Sequence, residues 1–208
     1  MKPSKPIKSV QESVLSKIIR GGRGAIFFGE GFLSLGNPEA VRQTLSRLTR
    51  RGTIRRIGTS LYYYPAFNSH LGGELPPSAD LAAQAIAKRT DSRIVATGAL
   101  AANLLGLSTQ VPAKRIYLTN GPSRNLSIGT HLLSFRHVSP RRMAARGKIS
   151  ALVFEAIKYL RQKEMTEEVV SRLQHSLPVT AKAQLLKDLK HSAIWMRPIL
   201  KRIIEGKG

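Results

Sequence analysis

Apolar and polar positions over residues 10–65 follow a pattern that predicts six short elements. Apolar side chains at helical spacing over residues 10–19 predict an amphipathic helix that ends at Gly21. A short apolar run at 25–28 is typical of a small strand, and residues 32–35 predict one helical turn. A second helix and two short strands follow. The predicted order is therefore helix, strand, turn, helix and hairpin.

The second helix has the most complete start signal in the chain. Asn37 can accept a hydrogen bond at the N-cap, and Pro38 loses no donor at the first helical position. Glu39 places a carboxylate at the positive end of the helix dipole. Because glycine commonly follows the last helical residue, we predict that the helix ends at Gly52.

The two faces of this helix differ in character. At about 100° per residue, Val41, Leu45 and Leu48 share one face and predict a buried stripe. The opposite face and its flanks carry side chains of the kinds that read base edges or hold phosphates in a DNA major groove. These side chains belong to Arg42, Gln43, Ser46, Arg47 and Arg50.

The hairpin after the helix favours one interpretation of this basic face over another. Basic helices are often only solvated surfaces. Residues 53–57 and 60–64, however, predict two short strands joined by a glycine turn, and this order of elements is typical of a winged helix-turn-helix. Arg55 and Arg56 would then lie in the wing, where we expect contact with the DNA backbone.

A segment rich in glycine and proline, residues 71–78, predicts a linker between two domains. Residues 1–77 would form a flexible basic arm, residues 1–9, followed by the winged helix-turn-helix, and residues 78–208 would form a second domain. The predicted fold class is α+β and mainly helical, with helices around a small β-sheet in the second domain. There the pattern predicts helices at 80–88, 96–105, 151–162, 166–177, 180–189 and 194–204, a short basic helix at 140–146, and strands at 93–95, 114–119, 125–128 and 131–138.

Charge indicates the class of partner. The 208 residues include 34 Lys and Arg against 12 Asp and Glu, a net charge of +22. Such a field concentrates polyanions around the protein. The first 70 residues hold 12 basic and 3 acidic residues, the next 70 hold 7 and 3, and the last 68 hold 15 and 6. From charge alone, the last third adds four candidates for a secondary nucleic-acid contact: Arg141, Arg142, Arg146 and Lys148.

Composition also limits the environment. The chain has no cysteine, which removes disulfides and thiolate zinc sites and fits a reducing compartment. The longest apolar stretches, near 94–107 and 151–160, are shorter than the roughly 20 residues that cross a bilayer. The lysines near the N-terminus are not followed by the apolar core of a signal peptide. We therefore expect a cytoplasmic protein with no membrane partner.

The residues that could carry catalysis form no recognisable site. The five histidines are scattered, without a pair at helical ligand spacing. The glycines between 21 and 31 are not followed by the Lys-Ser or Lys-Thr of a phosphate loop. Glu167 and Glu168 are better explained as a helix start after Thr166 than as a paired-carboxylate site. The sequence predicts a protein that is not an enzyme and binds no metal and no cofactor.

Three segments resemble a known family. They are NPEAVRQTLSRLTRRGTIRRIGTSLYYYP at 37–65, RIVATGALAANLLGLSTQVPAKRIYLTNGPSR at 93–124 and HLLSFRHVSP at 131–140. Together they resemble the AbiEi-like antitoxins of bacterial and archaeal toxin-antitoxin operons, and the likeness covers most of residues 10–165. Because many regulators share a winged helix, the middle segment discriminates best.

The resemblance implies an antitoxin, of the kind used in phage defence, that opposes a nucleotidyltransferase-like AbiEii toxin encoded beside it. It implies that the N-terminal winged helix binds inverted repeats in its own promoter and represses the operon, while the second domain carries the antitoxic activity. It leaves open whether the toxin is contacted directly, whether the protein dimerises or binds DNA cooperatively, and what the helical tail after about residue 162 does. The residues that it assigns to DNA are Arg42, Gln43, Ser46, Arg47, Arg50, Arg55 and Arg56.

Three other classes stay open. A ribosome-associated or RNA-binding protein explains the charge equally well, although RNA-binding modules usually present aromatics on a sheet rather than in a wing, where residues 62–64 lie. A stand-alone winged-helix transcriptional regulator needs only the first domain. A nuclease or restriction-associated enzyme needs an acidic metal site, which the sequence does not indicate. The gene next door discriminates: a nucleotidyltransferase-like reading frame favours the antitoxin.

Overall fold

The structure is a computed structural model, and it describes residues 8–70, 72–161 and 165–206. The fold is α+β and mainly helical, as predicted. Most of the predicted basic arm at residues 1–9 lies outside the described residues.

The described chain divides into two compact units. The first runs up to Ile86 and also includes Ser127–Thr130. The second is formed by Ala87–Leu126 and the residues from His131 onward. The predicted domain boundary between residues 77 and 78 stays a prediction.

The first unit contains the predicted helix, strand, turn, helix and hairpin in the predicted order, and the turn is a 3-10 helix. A small hairpin and the start of a further helix follow. The elements are α1 (Val10–Arg20), β1 (Ile26–Phe28), the 3-10 helix Gly29–Leu35, α2 (Pro38–Arg50), β2 (Arg55–Gly58), β3 (Leu61–Tyr63), β4 (Phe67–Asn68), β5 (Gly73–Glu74) and α3 (Ala79–Arg89).

The core of the first unit is built from one face of each helix. The stripe predicted for α2 is confirmed, because Val41, Leu45 and Leu48 are all buried. They pack with apolar residues of α1, the 3-10 helix and the segment before β2. Burial of this many large side chains is the main term that stabilises a unit of this size. The other buried members are Val14, Ile18, Phe32 and Ile54.

Both ends of α2 are capped by the residues that the sequence indicated. The Asn37 side chain accepts a hydrogen bond of 2.8 Å from the Glu39 backbone N–H, and Pro38 is the first helical residue. At the other end Gly52 has a φ of 73°, a conformation that glycine adopts without strain. The Thr53 N–H then donates to the Leu48 carbonyl, and the Gly52 N–H donates to that of Thr49, so both turns of a Schellman cap are present.

The three strands β1, β3 and β2 form an antiparallel sheet in that spatial order. The segment predicted as a linker is tied to this sheet. The Tyr63 hydroxyl donates to the Leu75 carbonyl at 2.9 Å and accepts from the Ala66 N–H at 3.2 Å. Strands β4 and β5 pair with each other next to these bonds. A buried tyrosine therefore holds the described part of residues 71–78 against the sheet. The glycines and prolines of this segment give no indication of that contact.

The second unit has a small sheet and several helices, as predicted. The remaining elements of the chain are β6 (Ile94–Ala96), α4 (Ala99–Leu104), β7 (Lys114–Thr119), β8 (Arg124–Ile128), β9 (His131–His137), the 3-10 helix Pro140–Met143, α5 (Lys148–Leu160), α6 (Glu167–Ser176), α7 (Val179–Asp188), the 3-10 helices Leu189–His191 and Ile194–Met196, and α8 (Arg197–Glu205).

This sheet has the spatial order β6, β7, β9, β8. Strand β7 pairs with β6 in antiparallel fashion and with β9 in parallel fashion. Three helices differ from the prediction. The helix α5 begins at Lys148 rather than at residue 151, and the basic helix predicted at 140–146 is a 3-10 helix over Pro140–Met143. The helix α4 begins at Ala99 rather than at residue 96, because Ala96 is the last residue of β6 and Gly98 has a φ of 63° that interrupts any continuous helix.

The helices of the second unit bury a core of their own, with Ile157 of α5, Leu173 of α6, Leu185 of α7 and Leu200 of α8 fully inside it. The helical tail is thus packed, and it belongs to this unit. No helix in the described ranges has both the length and the apolar character needed to cross a membrane.

Candidate nucleic-acid interface

The exposed face of α2 and the β2–β3 hairpin enclose an open groove of about 930 Å³. Because α2 buries Val41, Thr44, Leu45 and Leu48, the side chains of its opposite face point outward, and they form one wall of the groove. The groove lies wholly within the first unit. Its lining residues are Arg42, Gln43, Ser46, Arg47, Thr49, Arg50, Arg56, Thr59, Ser60 and Tyr62.

Strand alternation separates the two arginines that the sequence placed together in the wing. Arg56 pairs with Tyr62 across the sheet, and both line the groove. Arg55 pairs with Tyr63, and successive side chains of a strand point to opposite faces. Arg55 therefore lies on the other face, where its guanidinium contacts the Glu74 carboxylate at 2.7 Å and the Gly52 carbonyl. The structure brings six of the seven predicted DNA-contacting residues into the groove and leaves Arg55 outside it.

Three of the groove arginines keep their charge available. Within the described part of the chain, no carboxylate lies within ion-pair distance of Arg47, Arg50 or Arg56. Arg50 contacts the Ser46 hydroxyl at 3.4 Å, and Arg56 contacts the Gly58 carbonyl at the same distance. These weak neutral contacts leave most donors of the guanidinium groups free for phosphate or base oxygens.

Arg42 and Gln43 are held differently, since both contact Glu39. The Arg42 guanidinium lies 2.6 Å from one Glu39 carboxylate oxygen, and the Gln43 amide donates to the other at 3.2 Å. The hydrogen bond from Arg42, with a second one from Gln43, lowers the pKa of Glu39 below its ordinary value. Glu39 is therefore ionised at neutral pH at the edge of an otherwise basic groove.

The sequence did not indicate four of the groove residues. Thr49, Thr59, Ser60 and Tyr62 line it along with the predicted set. Ser60 lies in the hairpin turn with a φ of 54°, and its hydroxyl donates to the Glu30 carboxylate at 3.1 Å. Tyr62 could have been identified from the register of the hairpin, because it pairs directly with Arg56 across the two strands.

The second basic cluster, Arg141, Arg142, Arg146 and Lys148, has a different environment. All four side chains are exposed, yet Arg142 contacts the Glu155 carboxylate at 3.4 Å. Glu155 is buried, accepts a hydrogen bond from the Thr97 hydroxyl and forms an ion pair with Lys158. The charge of Arg142 therefore helps to balance a buried carboxylate of the second unit. These arginines flank the start of α5.

The start of α5 is occupied by a carboxylate of the protein itself. Buried Asp188, at the end of α7, accepts backbone hydrogen bonds from Arg146 at 3.0 Å and from Gly147 at 2.9 Å. It also accepts one from the Gln184 side chain. Burial raises the pKa of Asp188, but these hydrogen bonds outweigh it and leave the pKa below its ordinary value. A helix N-terminus that would otherwise attract a phosphate thus already has an anionic partner.

Comparison with known proteins places the chain in a family. The fold and the groove define a mainly helical α+β protein with a basic surface groove. Residues 13–185 match the model of a family of unknown function, DUF6088, and the chain belongs to that family. No curated protein matches the chain. In the ranges 8–70, 72–161 and 165–206, no group of three or more histidine or acidic side chains is arranged to hold a metal ion.

Proposed function

We propose that the chain is a sequence-specific DNA-binding protein whose first unit is a winged helix-turn-helix. The observation that carries this proposal is the groove between α2 and the hairpin, into which Arg47, Arg50 and Arg56 extend without acidic partners among the residues that the structure describes. The element order and the spatial strand order β1-β3-β2 support it, because they place one helix and one hairpin side by side on the surface.

In this proposal α2 enters the major groove of the DNA. The exposed guanidinium groups of Arg47 and Arg50 contact phosphates or guanine edges, and Gln43 is suited to the N6 and N7 atoms of adenine. Arg56 contacts the backbone from the hairpin. The short hairpin turn, held to Glu30 through Ser60, keeps this arginine next to α2.

We further propose that the protein is an antitoxin that represses its own operon and opposes a nucleotidyltransferase-type toxin. This step rests on the resemblance of residues 37–65, 93–124 and 131–140 to AbiEi-like antitoxins. The protein itself is not an enzyme in this proposal, and its two activities belong to different units.

The test of DNA binding is a mobility-shift titration of the full chain with the DNA upstream of its own gene and with random DNA. The proposal expects tighter binding to the upstream DNA, and a smaller difference for the R47A/R56A variant. Equal binding of both DNAs by the wild-type chain contradicts sequence-specific recognition. Preference for single-stranded RNA over both duplexes supports the RNA-binding alternative instead.

The test of the antitoxin role is co-expression with the product of the adjacent gene. We expect the wild-type chain to restore growth, and R47A/R56A to restore growth while derepressing a promoter fusion. Growth arrest that persists with the wild-type chain contradicts the antitoxin role and leaves the DNA-binding proposal standing.

A further inference from the structure

Glu39 is an unusual neighbour for the groove. Its carboxylate is about half exposed, and it lies in the first turn of the helix whose outer face we propose to contact DNA. Its two partners, Arg42 and Gln43, both line the groove. A negative charge at this place repels the phosphates that the nearby arginines attract.

The stability of α2 does not depend on the direction in which the Glu39 carboxylate points. An exposed ion pair of this kind contributes little to folding, and Asn37 already caps the helix. A first-turn carboxylate is favourable for the helix dipole wherever it points. Glu168 shows this ordinary case: it also follows the N-cap by two positions, in α6 of the second unit, and pairs with Arg172 at 2.9 Å.

Two consequences follow for a DNA duplex in the groove. While Arg42 pairs with Glu39, the carboxylate offsets the positive charge of the guanidinium and weakens its attraction for a phosphate. When Arg42 turns to a phosphate instead, Glu39 keeps the hydrogen bond from Gln43 but faces the polyanion without its cationic partner. A base edge that donates a hydrogen bond can satisfy the carboxylate, and in the major groove the cytosine N4 amino group is the matching donor for Glu.

We propose that Glu39 is a specificity residue: it keeps Arg42 away from the phosphates of non-specific DNA and accepts a hydrogen bond from a cytosine N4 amino group in the preferred site. This inference rests on the proposed DNA-binding function and adds a base preference to it. Glu39 positions Arg42 and Gln43 until the preferred base takes over as its partner.

The experiment measures binding of the full chain to a random duplex pool and to a duplex that the wild-type protein selects from that pool, by fluorescence anisotropy at several salt concentrations. We expect E39Q to bind the random pool about fivefold more tightly, as expected when one like charge about 4 Å from a phosphate is removed in water. For E39Q the slope of log affinity against log salt concentration should become steeper by about 0.9, the value for one added phosphate contact. The ratio of selected to random affinity should fall, and selection with E39Q should lose a preferred cytosine.

E168Q is the matched control, because it removes the same charge from the same helical position in the other unit. We expect it to leave the affinity ratio and the selected sequence unchanged. Melting temperatures of E39Q and E168Q should shift by similar small amounts, which separates recognition from folding. The E39Q/R42A double variant should show no steepening relative to R42A if the added phosphate contact is made by Arg42.

The outcomes separate the two proposals. If the wild-type chain discriminates between the duplexes but E39Q behaves like E168Q, this inference is overturned and the proposed function stands. If the steepening persists in E39Q/R42A, Glu39 does not act through Arg42. If the wild-type chain binds the two duplexes equally, the proposed function fails, and this inference fails with it.

Discussion

The groove of the first unit and the basic cluster of the second unit look alike in the sequence and differ in the structure. In the groove, Arg47, Arg50 and Arg56 extend from α2 and β2, and no carboxylate of the described residues lies within ion-pair distance of them. In the second cluster, Arg142 faces buried Glu155, and Asp188 binds the backbone of Arg146. The comparison teaches that local density of arginine does not reveal how the residues are used. Arg142 and the backbone of Arg146 hold buried carboxylates of the second unit, whereas Arg47, Arg50 and Arg56 line an open groove.

The largest expected effect is on the free energy of unfolding, when a core side chain of α2 is truncated. Leu45 is buried behind the groove, and we expect Leu45→Ala to lower the free energy of unfolding by about 2–5 kcal/mol, because a cavity forms in a small core. DNA binding should weaken as this unit unfolds. Urea titration followed by circular dichroism measures the loss. Leu33→Ala is the control: it removes the same atoms from an exposed position of the 3-10 helix, and an equal loss there contradicts the core assignment.

The second prediction concerns the anion that the second unit supplies for itself. Asp188→Ala leaves the N–H groups of Arg146 and Gly147 without their acceptor, and we expect a loss of about 1–3 kcal/mol in the free energy of unfolding. Glu205→Gln, which changes an exposed carboxylate of α8, should cost much less. DNA binding by the folded variant should be unchanged, since the groove is untouched.

The ionisation of Asp188 should also make the stability of the protein depend on pH. The pKa of Asp188 is lower in the folded protein than its ordinary value, so ionisation stabilises the fold above that ordinary value. This stabilisation is lost as the pH falls through the folded-state pKa. The stability of Asp188→Asn should therefore fall less steeply with decreasing pH than that of the wild type. Thermal melts over a pH series measure this difference. An identical acid profile for both proteins contradicts this assignment.

Signals between residues close in sequence were enough to predict much of this architecture. The features that could not be predicted depend on contacts between residues far apart in sequence. The α2 helix was predictable because Asn37, Pro38 and Gly52 act within a turn of its ends. The fastening of the predicted linker was not, because it depends on the Tyr63 hydroxyl, whose partner Leu75 is twelve residues away.

The same distinction holds for the candidate site. The helical period alone identified the exposed face of α2, and all five residues predicted on it line the groove. The hairpin register was needed to separate Arg55 from Arg56. The partners Glu74, Glu155 and Asp188 lie far along the chain from the arginines or the backbone that they bind, so only the fold could reveal them.

The next prediction sharpens the comparison at the level of bases. We expect Gln43→Ala to reduce the preference for promoter over random DNA by about 1–3 kcal/mol, the value of one good base contact. Affinity for random DNA should change little. Gln110→Ala, an exposed position outside the groove, serves as the control. A parallel loss of affinity for both DNAs indicates that Gln43 does not read bases.

The smallest expected effect distinguishes the two arginines of β2. Arg56→Ala should reduce the salt dependence of DNA binding by about 0.9, the contribution of one phosphate contact. Arg55→Ala should leave the salt dependence of DNA binding nearly unchanged, because Arg55 lies on the other face of the hairpin and pairs with Glu74. Equal effects in the anisotropy titration contradict the assignment of the two faces.

The most direct test of the groove as the DNA surface compares two charge-matched double variants of the full chain. R47A/R56A removes two groove arginines, and R141A/R146A removes two exposed arginines of the second cluster. Anisotropy titrations with promoter DNA over a salt series give the slope of affinity against salt for each. We expect R47A/R56A to reduce the slope by about 1.8, two phosphate contacts at 0.9 each, and R141A/R146A to reduce it much less. Equal reductions show that net charge, and not the groove, attracts the DNA.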